Sequence, residues 1–179
     1  MVRLFYFYEM DIRETILAEH SKKQTDKIIK WVGRSQERFD ELFNLFSKDE
    51  SRVTQRAAWP LSYVAIKHPS LVNKHFGRLI KKLKKEDLHD AIKRNTVRLL
   101  QHVDIPKRYH GEIMSICFDY VQSPTEAIAV KAFSLRILEK LSTIYPDIRQ
   151  ELKTIIEERW DLETAAFRSR GKKILKSFK

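Results

Sequence analysis

The sequence predicts an all-α fold, a right-handed α-solenoid of about four stacked helical pairs with an N-terminal capping helix. Three observations predict it. Turn formers are few, with four glycines and five prolines in 179 residues, which disfavours a sheet-rich fold. Apolar residues return at three- and four-residue steps, the mark of helices with one buried stripe. Adjacent aliphatic pairs recur at a nearly constant interval: Leu99-Leu100, Ile137-Leu138 and Ile174-Leu175 stand 38 and then 37 residues apart.

Taken in order, the chain opens with "MVRLFYFYEM", whose apolar stretch is too short for a secretory signal and is followed by no small-residue cleavage site. Residues 1–9 therefore read as an upstream extension, with Met10 as the start and 10–179 as a single repeat domain. "MDIRETILAEH" begins the cap, predicted over 11–32, with Asp11 at the positive end of a helix dipole. The helical pairs follow at about 36–67, 70–103, 107–143 and 146–178. Their first helices are "ERFDELFNLF", "SLVNKHFGRLIKKL", "PKRYHGEIMSICFDYV" and "PDIRQELKTIIEERW". In the last of these Ile148, Leu152, Ile155 and Ile156 form one stripe. Pro69, Pro124 and Pro146 punctuate between segments, where proline is tolerated at a helix beginning but not inside one.

Two helices per unit at this period is the pattern of HEAT-type repeats, in which no pair buries its apolar face without its neighbours. Asp49 to Arg56, Asp87 to Arg94 and Asp161 to Arg168 repeat a seven-residue spacing, which Pro124 and Lys131 break in the third unit. These residues are expected to link adjacent repeats and fix their register. "VTQRAAWPLSYV" and the tail from Val130 to Phe178 resemble a group of short bacterial HEAT-like repeat proteins over about residues 10–178. Some of that group carry the name adenylosuccinate lyase. The chain is too short for such an enzyme and lacks its Ser-rich flexible loop, so lyase activity is not expected. A more distant resemblance, in architecture and basic character, is to HEAT-like DNA glycosylases that excise alkylated bases. No catalytic Asp motif of theirs matches here, and a shared fold is a weak guide to function.

Charge is the strongest functional signal. The formal net charge is +11, and residues 51–85 hold nine Lys or Arg and no acidic residue. Such an excess attracts polyanions without choosing among them. The "KKLKK" run also reads as a solvated helix end, where cations suit the dipole. Arg94 with Arg98, and Arg136 with Lys140, stand one turn apart on second helices. Arg98, Arg136 and Lys173 occupy equivalent places in three units, so stacking would align them in a positive stripe along an inner groove. Against this stands the plain reading of separate side chains in water.

Pro60 lies inside a predicted helix, where it removes a hydrogen bond to the Arg56 carbonyl and bends or loosens the turn. Trp59, beside Arg56, is then either a stacking platform for a planar group or a core filler. The candidate binding residues are thus Arg56, Trp59, Arg94, Arg98, Arg136, Lys140 and Lys173.

Catalysis finds little support. Six histidines are scattered without metal-ligand spacing, and no Gly-rich phosphate loop exists, so no metal or cofactor is expected. Cys117 lies among apolar neighbours and reads as core. As the sole cysteine it allows no intrachain disulfide and points to a reducing, cytoplasmic setting. No apolar run reaches the roughly 20 residues of a membrane span. The tail "RSRGKKILKSFK" reads as the last helix docking on its neighbour, with contact to an acidic membrane surface as the alternative. The expected function is a non-catalytic scaffold whose basic groove engages an acidic protein or peptide; the alternative is nucleic-acid binding.

Overall fold

The computed structural model describes residues 10–48 and 50–178. Residues 1–9, read as an upstream extension, lie outside this range, as do Asp49 and Lys179. The described residues form ten α-helices and two short 3-10 segments, with no strand.

The cap is two helices rather than the one expected over 11–32: α1 (Ile12–Ala18) and α2 (Lys22–Val32). Ser21 separates them, because its hydroxyl accepts the Gln24 amide at 3.1 Å and so starts a new helix. Asp11 is the N-cap of α1, its carboxylate accepting the Glu14 amide at 2.9 Å. The Gln24 side-chain amide then ties α2 back to the Thr15 carbonyl.

Four helical pairs follow. The first helices are α3 (Gln36–Lys48), α5 (Phe76–Leu83), α7 (His110–Gln122) and α9 (Ile148–Glu158). The second helices are α4 (Ser51–Lys67), α6 (Asp90–Leu100), α8 (Ile128–Ser142) and α10 (Ala165–Ser177). Within each layer, successive helices pack side by side: α3, α5, α7 and α9 in one, α4, α6, α8 and α10 in the other. This is an α-solenoid, as the repeat period implied.

The second helices run parallel to one another. Near the start of α6 Lys93 pairs with Glu126 just before α8, and just after α6 the Val103 carbonyl accepts from Lys140 late in α8. Their side chains explain the close stacking. On α4 the buried positions include Ala57, Ala58, Ser62 and Ala65, small residues that admit α3 on one flank and α6 on the other. On α3 Phe39, Leu42, Phe43 and Phe46 fill the space between layers, each burial worth about 1.5–3 kcal/mol.

The segment 70–83, predicted as one helix, is a 3-10 stretch (Pro69–His75) followed by α5. The Leu71 carbonyl, which an α-helix would pair with the His75 amide, instead accepts from the Gln36 side chain at 3.0 Å. His75 turns inward, stacks on Phe43 with centroids 4.0 Å apart, and meets Asp40 Oδ1 at 2.7 Å. The tail docks as expected: Ile174 is fully buried, and Leu175 and Phe178 pack against the core.

Of the expected Asp–Arg links between repeats, that of Asp49 lies outside the described residues, and the other two are replaced by others. Arg168 donates to the Glu163 backbone carbonyl at 2.6 Å rather than pairing with Asp161. Arg94 forms no ion pair among the described residues, and Asp87 sits in a turn at φ 54°. Inter-repeat ion pairs do occur, through Lys93–Glu126 at 2.9 Å and Lys131–Glu163 at 2.5 Å. In both, a carboxylate in the loop before a second helix, α8 or α10, reaches a lysine on the preceding second helix. The seven-residue spacing connects residues of one repeat, whereas the real pairs cross between repeats.

Lys131 and Glu163 are almost completely buried, and Arg159 also bonds Glu163 at 2.6 Å. Burial alone would raise the Glu163 pKa, but hydrogen bonds from Lys131 and Arg159 outweigh it and hold the carboxyl below its ordinary value. We predict that Glu163→Ala destabilises by roughly 3–5 kcal/mol, because Lys131 is left charged in the core. Urea unfolding of Glu163→Ala beside Lys131→Met/Glu163→Leu checks this: the double variant should recover most of the loss. Since the folded pKa is depressed, this contribution is full above the unfolded value of about 4.3 and lost as pH falls through the folded one.

A second prediction concerns Gly171, where an added Cβ would lie 2.8 Å from Ile156 Cγ2. Gly171→Ala should force α9 and α10 apart and cost about 1–3 kcal/mol. An unchanged thermal midpoint would show that the two helices do not approach so closely.

Candidate functional site

α4 is covered by α3, α6 and the cap helices. One stripe stays open: Arg52, Arg56, Trp59 and Tyr63, at steps of four, three and four. On the facing side of α6, Ala91, Arg94, Asn95 and Arg98 form a matching stripe. Between them lies an open cavity of about 490 Å³, completed by Gln55, by His20 from the α1–α2 connection and by His89 at the N-cap of α6.

Among the described residues no carboxylate lines this cavity; Asp90 lies between His89 and Ala91 in sequence but not on the wall. Four guanidinium groups face one space. Two are already anchored. Arg56 donates to the Leu17 carbonyl at 2.7 Å and reaches that of Ile16 at 3.4 Å, satisfying the C-terminal end of α1. Arg98 stacks over the Tyr63 ring, 4.1 Å from its centroid. Hydrogen bonding from Arg98, and then from Trp59, lowers the Tyr63 pKa, with burial acting the other way. Arg52 and Arg94 are exposed and carry no hydrogen bond or ion pair among the described residues. The N-terminal halves of α4 and α6 supply most of the wall, so both positive dipole ends reinforce the field.

Trp59 is half-buried within this wall, in edge contact with His20 (centroids 5.4 Å apart) and tilted against Tyr63 (6.5 Å). The helix runs unbroken across Pro60, whose ring is buried. Ser62, one turn after Trp59, donates to the Trp59 carbonyl at 2.8 Å and touches Asn95 at 3.3 Å, pinning α4 to α6 behind the cavity. His89 Nδ1 accepts the Ala91 amide at 3.1 Å. In the neutral ring this leaves the proton on Nε2, free to donate.

Of the seven predicted residues, Arg56, Trp59, Arg94 and Arg98 share this cavity. Arg136 and Lys140 line a second hollow beside Arg149 and Phe178. There Arg136 pairs with Glu139 at 2.6 Å, and Lys140 with the Val103 carbonyl and Asp104. Lys173 is exposed on α10 and lines neither hollow. Of the predicted cations, Arg94 and Lys173 carry no partner among the described residues, and of these two Arg94 lies on the cavity. Arg52, Tyr63 and His89 were missed as site residues. Arg52 and Tyr63 could have been found by extending the Arg56–Trp59 stripe one turn in each direction. His20 could not, since only the packing of the cap brings it there.

The dense basic run of 74–85 is largely absorbed into structure. Lys74 pairs with Asp40, Arg78 bonds Asn44 and covers Phe43, and Lys84 pairs with Glu112. Lys82 is buried over Phe46, with Nζ 4.9 Å from the ring centroid. Cys117 is buried as expected, and burial pushes its thiol up to about 12, far from a nucleophile's range. The described residues contain no cluster of His, Cys, Asp or Glu that could hold a metal.

A family model described as HEAT repeat domain matches residues 12–178, and the chain belongs to that family. No curated protein and no solved structure matches it. The family match supports the repeat architecture and a helical-repeat scaffold for protein interaction; it gives no support to a lyase or a glycosylase. No helix among the described residues is long and apolar enough to cross a membrane.

Burial, followed by repulsion from Lys85 and Arg78, lowers the Lys82 pKa to about 8. A lysine whose folded pKa lies below its unfolded one opposes folding while protonated, and the penalty fades as pH rises from the folded to the unfolded value. We predict that Lys82→Met raises the melting temperature at pH 7 and that this advantage shrinks between pH 8 and about 10.4. Parallel melts of both proteins across that window test it; an advantage independent of pH would assign the effect to packing alone.

Proposed function

We propose that this chain is a non-catalytic helical-repeat scaffold that engages an acidic segment of a partner protein through the cavity between α4 and α6. The observation that carries this reading is a wall with four arginines, two of them unpaired among the described residues, and no described carboxylate. Like charges gathered without counter-charges lose self-repulsion when an anion enters, and the half-buried setting makes each contact stronger than in open water. Farther along the second-helix layer, Arg136 and Lys140 already have partners. The free cations of the cavity are therefore separated from the exposed lysines of α10 by paired ones, rather than joined in one continuous track.

A second reading is nucleic-acid binding, favoured by Trp59 and Tyr63 beside the arginines, since aromatic platforms next to cations hold unstacked bases. Fluorescence anisotropy separates the two. A Glu/Asp-rich peptide should bind at low salt and weaken as salt rises. Arg52→Ala/Arg94→Ala should reduce its affinity roughly ten-fold, about 1.4 kcal/mol. No peptide binding at low salt, together with tight binding of short single-stranded DNA, would replace the first reading by the second.

A further inference from the structure

We infer that the α4–α6 cavity is a receptor for a phosphate monoester carried on an aromatic ring, a phosphorylated tyrosine within the partner's acidic segment. The inference rests on the acidic-partner reading above and adds the chemistry of the group recognised.

Charge is the first argument. A lone carboxylate brings one negative charge and a pair of acceptor oxygens to a wall carrying four guanidinium groups. A phosphate monoester brings about −1.5 to −2 and three acceptor oxygens. Arg52 and Arg94 approach from different helices and have their full sets of donors available. Each planar fork can take two oxygens of a phosphate. Arg56, anchored through one of its terminal nitrogens on the α1 carbonyls, contributes a fixed charge beneath them. Its position costs no reorganisation when an anion arrives. His89, with Nδ1 occupied by the Ala91 amide, adds an Nε2 donor at the same end.

The aromatic neighbours supply the second argument. Trp59 and Tyr63 continue the α4 stripe directly from Arg56. Arg56 and Trp59 are three residues apart, about 4.5 Å along the helix axis. Anion and ring subsites are therefore contiguous, as phosphate and ring are in an aryl phosphate; a nucleotide interposes a sugar. Arg98, held over the Tyr63 ring, closes the ring subsite with a cation. The cavity, about 490 Å³, lies within the ~300–1,000 Å³ range of small-ligand sites. The extent of the cationic set supplies the third argument. A polynucleotide presents phosphates in series, and the next second-helix cations, Arg136 and Lys140, are already paired with Glu139 and Asp104.

The test is a titration of the full chain with three labelled acidic peptides of one sequence, carrying tyrosine, phosphotyrosine or phosphoserine at the centre. The phosphotyrosine peptide should bind roughly ten-fold or more tightly than its tyrosine twin. Arg52→Ala/Arg94→Ala should abolish that difference, and Arg94→Lys should restore only part of it, because an ammonium cannot reproduce the fork. Circular dichroism of each variant establishes that the exposed substitutions leave the helices intact. Trp59→Leu should bring the phosphotyrosine peptide down to the phosphoserine level.

Equal affinity for the tyrosine and phosphotyrosine peptides overturns the phosphate assignment and leaves the acidic-partner reading standing. Equal affinity for phosphoserine and phosphotyrosine overturns the ring assignment. A nucleoside monophosphate that competes as well as the phosphotyrosine peptide overturns the assignment to a protein phosphate. Failure of all three peptides to bind overturns the acidic-partner reading itself.

Discussion

The parallel packing of the second helices is the constraint on which the rest of this molecule depends. α4 is pressed by α3, α6 and the cap at once, and its small side chains let those neighbours close in. A helix so enclosed has only one stripe left for solvent. Whatever stands on that stripe is displayed, and whatever stands elsewhere is core. Arg52, Arg56, Trp59 and Tyr63 occupy the open stripe, and the adjacent, parallel α6 sets Arg94 and Arg98 opposite them. The cavity is a by-product of stacking, and its chemistry follows from which residues the stripe carries.

Register in the stack comes from polar contacts threaded between apolar ones. Ser62 meets Asn95 behind the cavity, while Lys93 reaches Glu126 and Lys131 reaches Glu163 farther along. Buried pairs of this kind add little net stability, because desolvation cancels most of the attraction. Their geometry is demanding, however. A helix shifted by one turn would leave a charge unpaired in a dry interior, so mispacked arrangements are penalised far more than the native one is favoured. The carboxylates concerned project from the loops before α8 and α10, which explains why these two loop side chains are almost buried.

The same cation type plays two parts along the chain, and local surroundings decide which. Arg78, Lys82 and Lys74 lie on the first-helix layer, where Asn44, Phe46 and Asp40 take them up. Arg52 and Arg94 lie where the layer opens, and neither carries a hydrogen bond or ion pair among the described residues. Net charge therefore overstates the free charge of the surface and says nothing of its place. A basic run in sequence, such as that around Lys81–Lys85, is a poorer guide to a site than a few arginines separated by helical steps.

Repeat period, helix boundaries set by Pro69 and Pro146, and the apolar stripes of α3 and α9 were all legible in the sequence, because each depends on residues only a few positions apart. The Arg56–Trp59 half of the cavity was legible for the same reason, as was its proximity to Arg94 and Arg98 once the period was known. The sequence by itself thus determined the class of fold and the strip of helix that would bear the cations. Tertiary structure alone decided three further matters. The docking of the cap brought His20 beside Trp59; Glu126 and Glu163, rather than Asp87 and Asp161, took up the links between repeats; and Arg136 and Lys140 found carboxylate partners while Arg52 and Arg94 have none among the described residues. Each turns on distances between residues far apart in the chain, and helical periodicity carries no information about which side chain a neighbouring helix brings within hydrogen-bonding reach.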